Sequence, residues 1–366
     1  GNALFDYHLF IEGWGSTGIS HSYSIVESNL LNAMRSMTRS ALFSKPIIMK
    51  VQCPKFYLEK WKESQVCSNR YVNLNTVNKS TSKLTSGRIK RINIRFTFPF
   101  NFENDDSNNY DHTFVFATTE FYNTSAILFA KKVDQIFDNR KITIVTPSKW
   151  SKYGFLNGEL KNIDETNIEI LPHGINTDVF KPILVQNDRN RIRRIYFKKI
   201  FNLTNDNVID DNSIIFLSVG AMTWNKGIDL LISAFVKLCT EYERDENTKQ
   251  KFDNQHDATD YSIQKYMLIL KGNDALYESK EMFLKILTKI PGGIDLYNKK
   301  WIVYYGKELK QSDLSLLYGG ADVYVSPYRA EAFNIPIFEA IASGLLVIVT
   351  DYRNDENKIW SPSNKW

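Results

Sequence analysis

The segment SIIFLSVGAMTWNKGIDLLISAFVKLC, residues 213–239, contains the pattern from which the fold is predicted. Residues 213–220 form an apolar, β-branched run that ends in glycine, which indicates a buried strand followed by a turn. From residue 227 onwards the apolar side chains recur at helical spacing. A strand, a turn and a helix in this order form the first part of a βαβ unit.

The same pattern recurs along the chain. In the second half, strands are predicted at 266–272, 301–306, 321–327 and 345–350, and helices at 277–290 and 312–320. In the first half, strands are predicted at 7–13, 46–52, 91–98, 112–120 and 141–146, and helices at 19–37 and 125–137. Strands that alternate with helices predict an α/β fold with parallel sheets, in which ligands bind beyond the carboxyl ends of the strands.

A break in this pattern predicts two domains. The segment EILPHGINTDVFKPI, residues 169–183, contains Pro and Gly and separates the two halves, so we predict domains at 1–182 and 183–366. Two polar stretches without periodicity, 67–88 and 241–262, are predicted to be mobile surface loops.

The composition is that of a soluble globular protein, with 366 residues of which 43% are hydrophobic and 24% charged. The sequence has no run of eighteen apolar residues, and its first residues lack the pattern of a signal peptide. Three scattered cysteines favour a reducing compartment, so a cytoplasmic location is predicted. The net charge of +5 suits an anionic small ligand or an acidic membrane surface, and it does not favour nucleic acid.

The segment RAEAFNIPIFEAIASG, residues 329–344, contains two carboxylates in apolar surroundings. Pro336 predicts the start of a helix, with Glu331 in the loop before it and Glu339 on the helix itself. A buried carboxylate needs partners, and a helix N-terminus favours an anion. The segment therefore suits a ligand that has both sugar hydroxyls and phosphate. The alternative is that Glu331 caps the helix while Glu339 pairs with a lysine.

Two further segments lie at predicted ligand-binding ends of strands. Lys226 begins the helix after the strand 213–220, where it suits a diphosphate, although a solvated lysine in a turn fits equally well. GWGSTGISHSYS, residues 13–24, follows a strand and contains Gly15 and His21. Its glycines permit close approach of the backbone to a ligand, or form a flexible turn.

Three segments together resemble the family 4 retaining glycosyltransferases. They are VTPSKWSKYGFLNGELKNIDETNIEILPHGINTDVFKP (145–182), FLSVGAMTWNKGIDLLISAF (216–235) and VSPYRAEAFNIPIFEAIASG (325–344). The resemblance covers most of residues 141–351, and before residue 141 it rests on EGWGSTGISHSYSIV. It implies a GT-B fold, in which two Rossmann-like domains face a cleft. It also implies transfer of a sugar from a nucleotide-diphosphate sugar to a hydroxyl acceptor.

The resemblance also implies roles for individual residues. Glu331 would contact the donor sugar and stabilise its developing positive charge, so it is the predicted catalytic residue. Lys226 would hold the diphosphate, helped by the backbone near Phe333 and Asn334. Glu339 would accept hydrogen bonds from the nucleotide ribose. Gly15 is predicted to lie against the donor, and His21 is predicted to reach the donor or the acceptor.

Three departures from the family pattern qualify these roles. Ala221 stands where the family usually has an arginine, and we predict that Arg329 supplies the missing diphosphate contact. Ala332 and Asn334 replace glycines of the paired-glutamate loop. Only 27 residues follow Glu339 (366 − 339), so the C-terminal part is expected to be truncated.

No cofactor and no metal are predicted, because the chain has no Asp-x-Asp triplet. The basic segment 189–200 is expected to be a solvated helix face, or a contact for an acidic lipid or an anionic acceptor, which leaves peripheral membrane contact open. The alternative function is a non-catalytic nucleotide-sugar or glycan-binding protein on a decayed scaffold, which Ala221 favours. A nucleotide-sugar epimerase and a glycosidase fit the motifs less well.

Overall fold

The structure is a computed structural model that describes residues 6–12, 30, 48–52, 70–73, 89–96, 100–102, 110–121, 123–124, 141–160, 162–203, 213–252 and 266–350. The chain divides into two compact units, Gly1–Gly174 and Ile175–Trp366. Each unit is built around a largely parallel β-sheet, which confirms the predicted α/β fold class.

The described strands of the first unit form one sheet in the order β3-β2-β1-β4-β5-β6-β7. They are β1 Asp6–Glu12, β2 Ile48–Gln52, β3 Arg70–Asn73, β4 Ile89–Arg95, β5 His112–Phe116, β6 Ile142–Thr146 and β7 Ile168–Ile170. The pairs are parallel except for β2 with β3. Helix α1, Lys149–Leu156, packs on this sheet through Phe155 and begins at Ser148, whose hydroxyl accepts the Ser151 N–H at 3.1 Å.

The described strands of the second unit form a fully parallel sheet in the order β10-β9-β8-β11-β12. They are β8 Ile214–Val219, β9 Tyr266–Lys271, β10 Ile302–Tyr305, β11 Val323–Ser326 and β12 Leu346–Val349. The chain proceeds from β8 to β9 and β10 on one side, and then crosses to β11 on the other side of β8. The strand order therefore reverses between β8 and β11, which is the position where ligands bind in open α/β sheets.

Helices cover both faces of the second sheet. They are α2 Gln186–Arg191, a π-helical segment Ile192–Phe197, α3 Lys198–Phe201, α4 Ile228–Phe252, α5 Asp274–Tyr277, α6 Ser279–Leu287, α7 Gly293–Asn298, α8 Gln311–Gly320 and α9 Ile335–Ala342. On one face Leu217 and Ile269 pack with Tyr318. On the other face Leu268 packs with Phe283, so apolar side chains of β9 are buried on both sides, as expected for a parallel sheet.

The boundary between the units lies before the position predicted from the sequence. We predicted domains at 1–182 and 183–366, whereas the second unit begins at Ile175. Phe180 is 2% exposed and packs edge-on against Tyr318 at 5.7 Å between ring centroids. The segment after Gly174 therefore contributes to the core of the second unit, which local sequence pattern does not reveal.

Two segments predicted to be loops contain regular structure. Residues 241–252 continue helix α4, because they are rich in good helix formers and extend a helix already anchored by its apolar face. Residues 70–73, inside the predicted loop 67–88, form β3 at the edge of the first sheet.

The predicted helices at 19–37 and 125–137 lie outside the described residues. Every helix in the described part of the chain is too short or too polar to span a bilayer.

Candidate functional site

Two loops meet at the switch point of the second sheet. Loop A, residues 220–227, follows β8, and loop B, residues 327–334, follows β11. Gly227 has a φ of +67°, and a Cβ atom there would stand 1.9 Å from the Pro327 carbonyl oxygen. A glycine is therefore required for loop A to lie against loop B.

Hydrogen bonds fix the two loops to each other. The Asn225 carbonyl oxygen accepts the Arg329 N–H at 2.7 Å and the Ala330 N–H at 3.3 Å. Arg329 also donates from Nη1 to the Trp224 carbonyl oxygen at 2.8 Å. Side chains on either loop are consequently held in a fixed relation to the ends of β8 and β11.

Lys226 and Glu331 form an ion pair across these loops, from Lys226 Nζ to Glu331 Oε2. The Glu331 side chain is 8% exposed and the Lys226 side chain 20%. The other carboxylate oxygen of Glu331 accepts the Ala332 N–H at 3.2 Å. The lysine compensates the charge of a nearly buried carboxylate, and both remain at the edge where a ligand can enter.

The remainder of loop B leads into helix α9. Asn334 precedes the helix with a φ of +60°, and its Nδ2 donates to Ser326 Oγ at 3.0 Å. Asparagine tolerates this left-handed conformation better than other residues with a Cβ atom, so it can stand where the family pattern has glycine. Ala332 does not need a positive φ, and it is buried. Phe333 is also buried and stacks on Phe338 at 4.8 Å between ring centroids.

Glu339 is buried in helix α9, where it is 6% exposed. The Tyr318 hydroxyl donates to Glu339 Oε2 at 2.9 Å, so a tyrosine from α8 occupies the position for which a lysine was the alternative. Burial raises the pKa of Glu339 to about 7, although the tyrosine hydrogen bond opposes this rise. The carboxylate is therefore balanced between its neutral and ionised forms near neutral pH.

The hydroxyl group of Tyr324, on β11, is influenced by both carboxylates. This hydroxyl donates to the Val219 carbonyl oxygen at 3.3 Å. Burial raises the pKa of Tyr324, and the Glu339 and Glu331 carboxylates raise it further. Both carboxylates therefore lie close enough to this buried hydroxyl on β11 to act on it electrostatically.

The Arg329 side chain contacts Asp229 and Trp224. Its guanidinium forms two hydrogen bonds with Asp229, each of 2.7 Å, and lies over the Trp224 ring at 4.9 Å from the centroid. The hydrogen bond from Arg329 lowers the pKa of Asp229. In this conformation Arg329 braces loop A against the start of α4, and the place of the family arginine is occupied by the apolar Ala221.

The structure brings together Lys226, Glu331, Phe333 and Asn334 on loops A and B, and it places Glu339 on α9, the helix that follows loop B. Gly15 and His21 lie outside the described residues. Tyr318 was not predicted as a site residue, because no sequence signal distinguishes it within its predicted helix. Sequence analysis also missed Lys271, a charged residue at the end of the apolar run YMLILK, and that charge was an available signal.

Comparison with known proteins agrees with this architecture. A family model described as glycosyl transferases group 1 matches residues 279–361. A glycosyltransferase from Rickettsia africae has a similar structure, with a TM-score of 0.54, 15% identity and coverage of 94% of this chain and 79% of that chain. No curated protein matches the chain.

Two further solved structures are similar over the same extent. HepE from Anabaena has a TM-score of 0.54, 11% identity and coverage of 94% of this chain and 80% of that chain. Sucrose-phosphate synthase from Thermosynechococcus elongatus has a TM-score of 0.51, 14% identity and coverage of 94% and 81%. The chain thus has an α/β fold with parallel sheets of the kind found in glycosyltransferases, and the matched family segment contains both Glu331 and Glu339.

Proposed function

We propose that the protein is a retaining glycosyltransferase that moves a sugar from a nucleotide-diphosphate sugar to a hydroxyl acceptor. The observation that carries this proposal is the Lys226–Glu331 ion pair at the switch point, with the buried Glu339 on the helix that follows loop B. The match to the group 1 model supports it. HepE, which shares the fold, has been crystallised with UDP and glucose and with UDP-glucose.

In the proposed reaction the donor diphosphate competes with Glu331 for the Lys226 ammonium. The bond from the anomeric carbon to the diphosphate oxygen breaks, and the negative charge that develops there is stabilised by Lys226 and by the N-terminal amides of α9. Glu331 then lies beside the sugar, whose anomeric carbon becomes electron-poor. The acceptor oxygen bonds to that carbon, and its proton passes to the departing phosphate oxygen.

In this proposal Glu339 binds the ribose of the donor nucleotide. An ionised carboxylate accepts hydrogen bonds from the two ribose hydroxyls, whereas a protonated one presents a donor to at least one of them. The Tyr318 hydroxyl holds one carboxylate oxygen and lowers the pKa of the group. Several features stay predictions. They are chemistry without a metal or a cofactor, the acceptor-side role of the first unit with Gly15 and His21, the contact of Arg329 with the diphosphate, and the cytoplasmic location.

The test is a panel of UDP-, GDP- and ADP-sugars with hydroxyl acceptors, in which nucleotide binding and nucleotide release are measured separately. We expect release with at least one donor, and a loss of at least a hundredfold in Glu331→Gln with little change in nucleotide affinity. An exposed control, Glu281→Gln in α6, should behave as wild type. Binding without release for every donor would support the non-catalytic binding protein, and the absence of both would contradict the proposal.

We also propose that the helical segment 186–201 binds to the surface of an anionic lipid bilayer. Arg191, Arg194 and Lys199 are exposed at helical spacing on one face, together with Ile195, which is 60% exposed. Leu184, just before the segment, is 91% exposed. Cations beside exposed apolar side chains are typical of helices that lie on anionic bilayers.

Co-sedimentation with vesicles tests this contact. We expect binding to vesicles with 30% phosphatidylglycerol and not to pure phosphatidylcholine vesicles, because roughly 1 kcal/mol per cation is available only at an anionic surface. Arg191→Glu with Arg194→Glu should abolish the binding. Lys285→Glu in α6, an exposed lysine elsewhere in the unit, should not. Equal sedimentation with both kinds of vesicle, or an unaffected double variant, would contradict the proposal.

A further inference from the structure

Lys271 is a buried cation without a carboxylate partner. It ends β9 and is 8% exposed, whereas lysines are rarely buried unless they are paired. Its Nζ donates to the Gly272 carbonyl oxygen, and the Tyr305 ring lies 6.0 Å from it. Among the described residues no carboxylate forms an ion pair with it. An ammonium group has three donors, so this environment leaves its hydrogen-bonding capacity largely unused.

Two acidic side chains act on Lys271 electrostatically without forming an ion pair with it. They are Asp274, the first residue of α5, and Glu308, in the loop after β10. Asp274 accepts the Tyr304 hydroxyl and the Lys280 N–H, the latter at 2.9 Å. The effect of burial is larger than the opposing effect of these two carboxylates, so burial lowers the pKa of Lys271 to about 8. Tyr305 is the other titratable group that faces the ammonium.

Lys271 also lies next to the candidate donor site. It pairs in register with Val219, and its carbonyl oxygen accepts the Gly220 N–H at 2.9 Å. No described atom lies within 4 Å of the position where a Cβ atom of Gly220 would stand, so the backbone at this strand end is open to a ligand. The next residue is Ala221, which carries no charge.

We propose that Lys271 is a second cation of the donor site, and that it supplies from β9 the phosphate contact that Ala221 cannot make. When a nucleoside diphosphate binds, the flexible lysine stem lets the ammonium turn from the Gly272 carbonyl to a phosphate oxygen over Gly220. The phosphate then provides the counter-charge that the protein itself does not. This inference rests on the proposed function, because it assumes that the ligand at this strand end carries a diphosphate.

Calorimetric titration with UDP, GDP, ADP and uridine tests the inference in wild type, Lys271→Met and Lys271→Arg. Methionine keeps the length of the apolar stem and removes the charge. We expect Lys271→Met to bind all three diphosphates at least tenfold more weakly, Lys271→Arg to recover part of that affinity, and uridine binding to be unaffected. Lys285→Met, an exposed lysine in α6, is the matched control and should bind as wild type does.

The pH dependence gives a second measurement. In wild type the affinity for UDP should fall as the pH rises from 7 to 9, because free Lys271 loses its proton in this range, whereas Lys271→Met should lack that fall. Unchanged diphosphate affinity in Lys271→Met would overturn the inference. A loss confined to one base would also overturn it, because the lysine would then bind the base and not the phosphate.

These outcomes are separable from those of the proposed function. If the protein binds nucleoside diphosphates through Lys271 but transfers no sugar, the inference holds and the transferase proposal fails. If sugar transfer occurs and Lys271→Met binds donors normally, the transferase proposal holds and the inference fails. If wild type binds no nucleoside diphosphate, both are wrong.

Discussion

Single residues of loop B adopt backbone conformations that suit their residue types. Asn334 adopts a left-handed conformation where glycine is usual, and its side chain is held by Ser326. Ala332 fits without a positive φ. Both residues are thus compatible with the geometry of loop B, whereas Ala221, just after β8, offers no charge to a ligand.

Glu339 yields a prediction at the residue scale. Burial raises its pKa to about 7, so the carboxylate becomes protonated as the pH falls through 7. Since the proposed ribose contact needs the ionised form, the KM for the donor should rise by about tenfold in total as the pH falls from 8 to 6, most of it below the pKa. The measurement is the KM for the donor across this pH range.

Tyr318→Phe provides the matched variant for this measurement. The tyrosine hydrogen bond lowers the pKa of Glu339, so its removal should shift the rise in KM to higher pH. Glu339→Gln should show a high KM that does not depend on this ionisation. A wild-type KM that stays constant between pH 6 and 8 would contradict the assigned role.

At the scale of elements, the site depends on the close contact between loops A and B. Gly227→Ala should displace loop A, because the new Cβ atom would stand 1.9 Å from the Pro327 carbonyl oxygen and the residue would keep a φ of +67°. We expect a loss of roughly 1–3 kcal/mol in the free energy of unfolding, and weaker nucleotide binding because Lys226 moves with the loop. Chemical denaturation and nucleotide titration measure the two effects.

Gly174→Ala is the control for this substitution. No described atom lies within 4 Å of its Cβ position, and its φ is not positive. Its effect on stability should be within about 0.5 kcal/mol. If Gly227→Ala proved as harmless as Gly174→Ala, the proposed contact between the loops would be unnecessary for the site.

At the scale of the whole molecule, the chain consists of two units with separate cores. The second unit has its own sheet, helices on both faces and the candidate donor site. A fragment that begins at Ile175 should therefore fold and retain nucleoside diphosphate binding. A fragment that begins at Ile183 lacks Phe180, which is 2% exposed in the core.

Comparison of these two fragments tests the boundary. Loss of a buried phenylalanine costs about 3–5 kcal/mol, so the shorter fragment should melt at a lower temperature or fail to fold. Thermal unfolding followed by circular dichroism measures the difference. Equal stability of the two fragments would place the boundary back near residue 183, as the sequence predicted.

Sequence patterns were sufficient for the α/β class and for the strands of the second unit, because buried parallel strands are continuous apolar runs that glycine or proline interrupts. They also identified Lys226, Glu331 and Glu339 as chemically unusual. They failed at the edge strand β3 and at the C-terminal half of α4. A short edge strand has little apolar surface, and a solvated helix needs no apolar periodicity once its first half is anchored.

The sequence by itself determined the order of strands and helices, and with it the edge of the second sheet where the candidate site lies. Only the tertiary structure decided which charged groups meet there. Lys226 pairs with Glu331 across a sequence separation of 105, Tyr318 pairs with Glu339 across a separation of 21, and Arg329 pairs with Asp229 across a separation of 100. Such contacts depend on the packing of β8 against β11 and of α8 against α9, which no local pattern of residues specifies.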